Sequence, residues 1–257
     1  MAGMTTSSHI ALITGANRGI GRSTALFLAR DGADVIVTYR THADEAEAVV
    51  EEIRALGRSA VALPLDVGDV ASLDRFVAAV RDALRTVWDR DTFDFLVNNG
   101  GMSRGGMIAD VREEDVDALI DVHFKGVLFL TQKLLPLIAD GGSIVNLSSG
   151  LTRLTFPQRA VYGSVKGAVE VLTRYMAAEL GPRGITVNVI APGAVATDFS
   201  GGMLRDNAEM REQIASITAL GRHAVADDIG GAIAALLGPG NRWVTGQRIE
   251  VSGGLHL

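Results

Sequence analysis

Tyr162 and Lys166 stand four residues apart in the stretch from Ala160 to Leu180, whose apolar residues recur with helical spacing. Residues four apart share one face of a helix. An ammonium beside a phenol favours the phenolate and draws its pKa down from about 10 toward a working pH. Such a phenol can give a proton to a carbonyl oxygen, and as phenolate can take one from an alcohol. Ser149 lies thirteen residues before Tyr162, just past a short apolar strand. Its hydroxyl can hold the same substrate oxygen and brace a transition state. Only 3 tyrosines occur in the chain, which sharpens the pairing. The alternative for Tyr162 is a packed helix aromatic that uses its hydroxyl at the rim.

A second constellation lies near the start. The run IALIT (Ile10 to Thr14) leads into Gly15-Ala16-Asn17-Arg18-Gly19-Ile20-Gly21, and a helical pattern follows at once. Glycines there allow a tight turn and close approach to a pyrophosphate. A helix start adds unpaired N–H groups and a positive dipole end. Loop punctuation alone is the competing reading, and placement between the first strand and first helix favours the phosphate.

The elements that must position these residues alternate along the chain. Strands are expected at Ile10 to Thr14, Val35 to Thr38, Ala60 to Leu63, Phe93 to Val97, Ser143 to Leu147, Thr186 to Ile190 and Arg248 to Val251. Helices are expected at Gly19 to Arg30, Ala43 to Leu56, Val70 to Val87, Ala160 to Leu180 and Asp227 to Leu237, with one or two more within Asp115 to Ile138. The strands are continuous apolar runs, as in a parallel sheet covered by helices on both faces. The expected fold is therefore α/β, a single Rossmann-type domain over 1–257 with a doubly wound, seven-stranded parallel sheet. Residues 1–8 read as a flexible N-terminus and 194–220 as a substrate lid.

Composition excludes several other classes. Net charge is −6, which advertises no nucleic-acid partner. Cysteine is absent, which removes disulfides and thiolate chemistry. The first residues lack a signal-peptide pattern, and no apolar run approaches the roughly 18 residues of a membrane span. A cytoplasmic protein with no membrane partner is expected. The 5 histidines, at 9, 42, 123, 223 and 256, have no tight spacing, so no metal site is expected.

The pattern TG-x-x-x-G-x-G, with glycines at 15, 19 and 21, resembles that of the short-chain dehydrogenase/reductase family. The resemblance runs from Ile10 to Gly254 and includes Asn98-Asn99-Gly100, Ser149, Tyr162-Gly163-Ser164-Val165-Lys166, Pro192-Gly193-Ala194-Val195-Ala196-Thr197 and the tail from Trp243 to Gly254. Bacterial 3-oxoacyl-carrier-protein reductases are among the members it is similar to. It implies hydride transfer between a nicotinamide cofactor and a carbonyl or alcohol, with Ser149, Tyr162 and Lys166 catalytic. It also implies that Lys166 bridges to the nicotinamide ribose, and it selects Ser149 over Ser148, which reads as a backbone-bonding strand-end residue. Gly15, Asn17, Arg18, Gly19, Ile20 and Gly21 would hold the cofactor's phosphates. Asn98 and Gly100 would lie near the adenosine ribose, and Asp66 with Val67 at the adenine edge. Pro192, Gly193, Val195 and Thr197 would line the nicotinamide. The family's usual NNAG reads NNGG here, from which little consequence is expected.

Two departures carry specificity. NAD-preferring members place an acid at the end of the second strand, where this chain has Tyr39 followed by Arg40. Arg40, with Arg18, can pair with a 2′-phosphate, so NADP(H) is expected over NAD(H). His123 occupies the place of a family asparagine that links the active-site lysine to solvent protons, and an imidazole can also donate and accept. The lid and the segments Gly101 to Met107 and Gly150 to Arg159 suggest an apolar cleft for a ketone with a hydrophobic body. Arg104, Arg153 and Arg159 are candidates for a basic patch facing an acidic carrier protein. The resemblance implies a homotetramer, with a dimer as second choice. The alternatives are an NAD-dependent alcohol dehydrogenase working oxidatively and, more remotely, a non-catalytic dinucleotide-binding regulator.

Overall fold

The computed structural model describes residues 8–257. Its strands are β1 (Ile10–Ile13), β2 (Asp34–Tyr39), β3 (Ala60–Pro64), β4 (Phe93–Asn98), β5 (Ile138–Leu147), β6 (Thr186–Pro192) and β7 (Arg248–Val251). They form one sheet in the order β3-β2-β1-β4-β5-β6-β7, with every neighbouring pair parallel. The helices are α1 (Gly19–Arg30), α2 (Ala43–Ala55), α3 (Leu73–Trp88), α4 (Glu113–Ile120), α5 (Gly126–Leu134), α6 (Ala160–Leu180), α7 (Met203–Asp206), α8 (Ala208–Ser216) and α9 (Ala226–Leu237).

In β1, β2, β4 and β6 nearly every residue is buried, so both faces of the sheet are covered there, while the edge strand β7 alternates Arg248, Ile249, Glu250 and Val251 and is only partly buried. In the buried strands side chains also alternate, but between two cores. Ala11, Ile13, Val35, Val37 and Val97 join α1, α2 and α9 on one face. Ile10, Leu12, Ile36 and Leu96 join α3, α5 and the C-terminal half of α6 on the other. The chain winds outward from β1 to β3, then restarts at β4 on the other side of β1. This reversal opens a crevice beyond the C-terminal ends of β1 and β4, the general ligand position in such sheets.

Three regions differ from the sequence expectation. Strand β5 begins at Ile138, five residues early, because Phe93 pairs with Ile138 while Phe95 pairs with Ser143. The intervening residues bulge around Gly141, at φ +75°. The stretch Asp115 to Ile138 is α4 and α5 joined by a π-helical turn over Asp121–Lys125. The stretch 194–220 contains a 3-10 turn over Phe199–Gly202, then α7 and α8. Neither of those two helices has a buried residue, so no periodic apolar face announced them. Of the expected flexible terminus, residues 1–7 lie outside the described residues. The Ser8 hydroxyl donates to Asp34 at 2.6 Å.

Candidate active site

The crevice is lined first by backbone. Gly15 and Gly19 take left-handed conformations, at φ +62° and +57°, which only glycine adopts without strain. A Cβ on Gly21 would lie 2.3 Å from the Gly15 carbonyl oxygen, so α1 can pack directly on the turn only with glycine there. Arg18 caps α1 without a side-chain bond, and the first turn holds no acid. Its leading N–H groups and dipole are therefore uncompensated and fit an anionic group. Ile20 is partly buried against the core below. Across the crevice, the Thr197 side chain stands 3.7 Å from where a Gly19 Cβ would be. Pro192 ends β6, and a Cβ on Gly193 would crowd Ser252 at 2.9 Å. Val195 pairs with Ala224 in an isolated bridge.

Several expected cofactor residues have other partners. Asn98 is 4% exposed, and its amide donates to Asn146 Oδ1 at 2.8 Å and Thr131 Oγ1 at 3.1 Å. Its side chain thus ties β4 to β5 and α5. Asn17 donates its amide to Glu45 at 2.8 Å. Asp66 accepts the Gly68 N–H at 2.9 Å, fixing the loop after β3. Val67 stands 3.5 Å from where a Gly100 Cβ would be. An alanine at Gly100 would also meet Thr14 Oγ1 at 3.2 Å, so NNGG here relieves a tight contact. Tyr39 is half-buried at the end of β2, while Arg40 and Arg18 are exposed. Arg22, Arg54 and Arg58 nearby are ion-paired. Arg18 and Arg40 have no such partner among the described residues.

The four candidate catalytic side chains come from the segment after β5, from α6 and from the π-helical turn. Ser149 follows β5 in extended conformation, and its Oγ accepts the Leu151 N–H at 3.2 Å. This leaves the hydroxyl proton free to donate. Leu151 packs with Tyr162, Val165 and Leu119. Lys166 is buried and donates from Nζ to the Leu147 carbonyl at 2.7 Å. Nζ stands 5.8 Å from the Tyr162 ring centroid. Burial lowers the Lys166 pKa to about 7.

Tyr162 departs from expectation. Its pKa is pushed up by burial, with the charge of Arg159 opposing. The ring is enclosed by His123, edge-on at 5.3 Å between centroids, and by Phe199 at 6.1 Å. Desolvation disfavours the phenolate. The lysine is spent on Leu147 and has itself lost much of its preference for the charged form.

His123 sits in the π-helical turn and is 1% exposed. Its Nε2 lies 2.7 Å from the Met102 carbonyl oxygen and 3.3 Å from the Met102 N–H; the shorter, carbonyl contact is met by a proton on Nε2. Nδ1 is then an acceptor, and it has no partner among the described residues. Burial, and next the charge of Lys166, lower its pKa to about 3, against the Met102 carbonyl. The imidazole needs Gly101, because a Cβ there would lie 2.7 Å from its Cε1. Sequence reasoning missed this dependence, and paired glycines after β4 were its only signal.

Ser200, Gly201 and Gly202 follow one another at positive φ, a sharp bend before α7. Of the three arginines expected to form a basic patch, two are ion-paired. Arg153 pairs with Glu250 at 2.7 Å and donates to the Leu255 carbonyl at 2.8 Å. Arg104 pairs with Asp115. Arg159 donates to Ser103 Oγ at 3.0 Å. No described helix is long and apolar enough to cross a membrane.

Residues 15–256 match the family model described as enoyl-(acyl carrier protein) reductase. The chain is 38% identical over 249 residues to the 3-oxoacyl-[acyl-carrier-protein] reductase FabG of Staphylococcus aureus, covering 96% of this chain and 98% of that protein. Among solved structures, the promiscuous reductase LugOII, which catalyses keto-reduction at C1 in lugdunomycin biosynthesis, superposes with a TM-score of 0.92 at 36% identity, over 97% of this chain and 98% of that one. The angucycline C-6 ketoreductase LanV with bound NADP gives a TM-score of 0.91 at 36% identity, over 96% of this chain and 95% of that one.

Proposed function

Because the chain belongs to the short-chain dehydrogenase/reductase family of oxidoreductases, we propose that it is an NADPH-dependent ketoreductase that turns a ketone with a hydrophobic body into a secondary alcohol. The observation that carries this reading is the gathering of Ser149, Tyr162 and Lys166 beside an uncapped, glycine-built helix start. NADPH, when bound, supplies the hydride. The turn from Gly15 to Gly21 and the α1 N-terminus hold its pyrophosphate. Arg40, with Arg18, takes the 2′-phosphate, Asp66 and Val67 the adenine edge, and Pro192, Gly193, Val195 and Thr197 the carboxamide side. The NADP in LanV, at 36% identity, supports the same choice here.

Ser149 donates its free hydroxyl proton to the substrate oxygen. Tyr162 gives that oxygen the proton that completes the alcohol. Burial keeps Tyr162 in its protonated form, the form that can give a proton to the substrate oxygen in the reductive direction. Lys166, with its pKa near neutrality, exchanges protons at working pH and reaches the nicotinamide ribose. His123 Nδ1 offers the lone pair that continues the proton path from Lys166. Exposed Val171 and Tyr175 on α6 support a homotetramer joined through that helix.

The test is nicotinamide absorbance with purified protein, NADPH or NADH, and a panel of 3-oxoacyl thioesters, aryl and cyclic ketones, and an enoyl thioester. Ketone-dependent NADPH oxidation that falls about 10²–10⁴-fold in Tyr162→Phe is expected. Faster turnover with NADH would favour the oxidative alcohol dehydrogenase. Turnover of the enoyl thioester alone would overturn the ketone reading. Tight NADPH binding without turnover of any substrate would favour the regulatory one.

A further inference from the structure

Glu170 lies on α6 one turn beyond Lys166 and has no role in the chemistry above. Its Oε1 accepts three hydrogen bonds: from Ser148 Oγ at 2.6 Å, Thr152 Oγ1 at 2.8 Å and Arg248 Nε at 2.8 Å. Its side chain is 14% exposed. Ser148 and Thr152 flank Ser149 in the chain, one before it and the other three after. The carboxylate therefore grips the segment carrying Ser149 on both sides and ties it to the helix carrying Tyr162 and Lys166. Ser148 was expected to bond backbone; its contact with the Lys166 carbonyl is the longer one, at 3.5 Å.

Charge on the far side completes the clamp. Arg248 bonds Glu170 and, at 3.1 Å, Glu250. Glu250 in turn holds Arg153, just past the turn that begins at Gly150. Acid and base alternate from Glu170 through Arg248 and Glu250 to Arg153, so the group is neutral as a whole. Hydrogen bonds to ionised groups are short and strong. An unpaired partly buried carboxylate would be costly, and here each charge has its counterpart.

We propose that Glu170 is the positioning residue for Ser149, setting where its hydroxyl stands relative to the Tyr162 phenol by holding Ser148 and Thr152 against α6. The proposal rests on the role assigned to Ser149. Binding of NADPH on the opposite side of the crevice should not depend on Glu170. Transition-state geometry should, because small displacements of a positioned donor cost rate more than binding.

The experiment measures kcat, KM for the ketone and NADPH affinity by fluorescence titration in Glu170→Leu, Glu170→Gln and the pair Ser148→Ala/Thr152→Val. Each is made with and without Ser149→Ala, and thermal unfolding is followed throughout. Glu170→Leu should lower kcat about tenfold or more, in the range of a misplaced catalytic donor, with NADPH affinity held within about twofold. Glu170→Gln should recover most of the rate, because its carbonyl oxygen can accept the same three donors. With Ser149→Ala present, Glu170→Leu should have no further effect, since positioning an absent hydroxyl is without consequence. An equal loss with and without Ser149 would overturn the proposal, as would an unchanged kcat in Glu170→Leu. If that variant does not fold, Ser148→Ala/Thr152→Val decides by the same two comparisons. If Ser149→Ala alone leaves kcat intact, the role of Ser149 fails first, and that result is distinct from additivity with Glu170.

Discussion

The crevice has two sides built by different means. The side from Gly15 to Gly21 is backbone: two left-handed glycines, a third whose missing Cβ lets α1 touch the turn, and free N–H groups at a helix start. Its cations, Arg18 and Arg40, are exposed. The side from Ser149 to Glu170 is side chains. Tyr162, Lys166 and His123 are buried, and burial moves all three pKa values toward the neutral form. A ligand with fixed phosphates can be held by geometry alone. A proton path needs groups whose affinities for protons have been shifted, and only packing does that.

The comparison breaks most sharply at Gly21. Gly21→Ala should cost about 3 kcal/mol of stability and much of the NADPH affinity, because its Cβ meets rigid backbone at 2.3 Å. Thermal unfolding and fluorescence titration measure both. A stable variant that binds NADPH normally would mean that the turn is not sterically locked. Arg40→Ala comes next. Loss of a charge-assisted bond to a 2′-phosphate is worth about 1.5–3 kcal/mol, or roughly ten- to a hundredfold in KM for NADPH, with little change for NADH. Equal effects on both cofactors would remove Arg40 from discrimination.

On the buried side, His123 should leave a mark on acid stability. Its folded pKa, about 3, lies below the unfolded value of about 6.5. Between those values the unfolded chain binds the extra proton, so stability falls as pH falls through that window, by up to about 1.4 kcal/mol per pH unit. His123→Asn should flatten this slope in denaturant titrations from pH 7 to pH 4. An unchanged slope would mean that the imidazole is not held neutral by its surroundings.

Parts of both sides were legible in the sequence to unequal depth. The seven strands and the limits of α1 and α6 follow from apolar runs and helical spacing, and the structure has them within a few residues. The glycine turn was readable because its chemistry is local: each glycine answers a backbone demand a few residues away. The grouping of Ser149, Tyr162 and Lys166 came from spacing combined with family resemblance. The direction of the Tyr162 shift was not readable, because spacing gives the neighbouring lysine but not the His123 and Phe199 rings that remove water.

What the sequence determined by itself is the alternation of strands and helices, the glycines of the turn, and which residue types are available for chemistry. These depend on local sterics and on periodic burial. Tertiary structure alone decided that Asn98 donates to Asn146, that Arg153 pairs with Glu250, and that Gly101 makes room for His123. It alone brought Glu170 to Ser148 and Thr152. Each of these is a contact between residues well separated in the chain. Side-chain type and spacing limit such contacts, and the packing of whole elements selects among them.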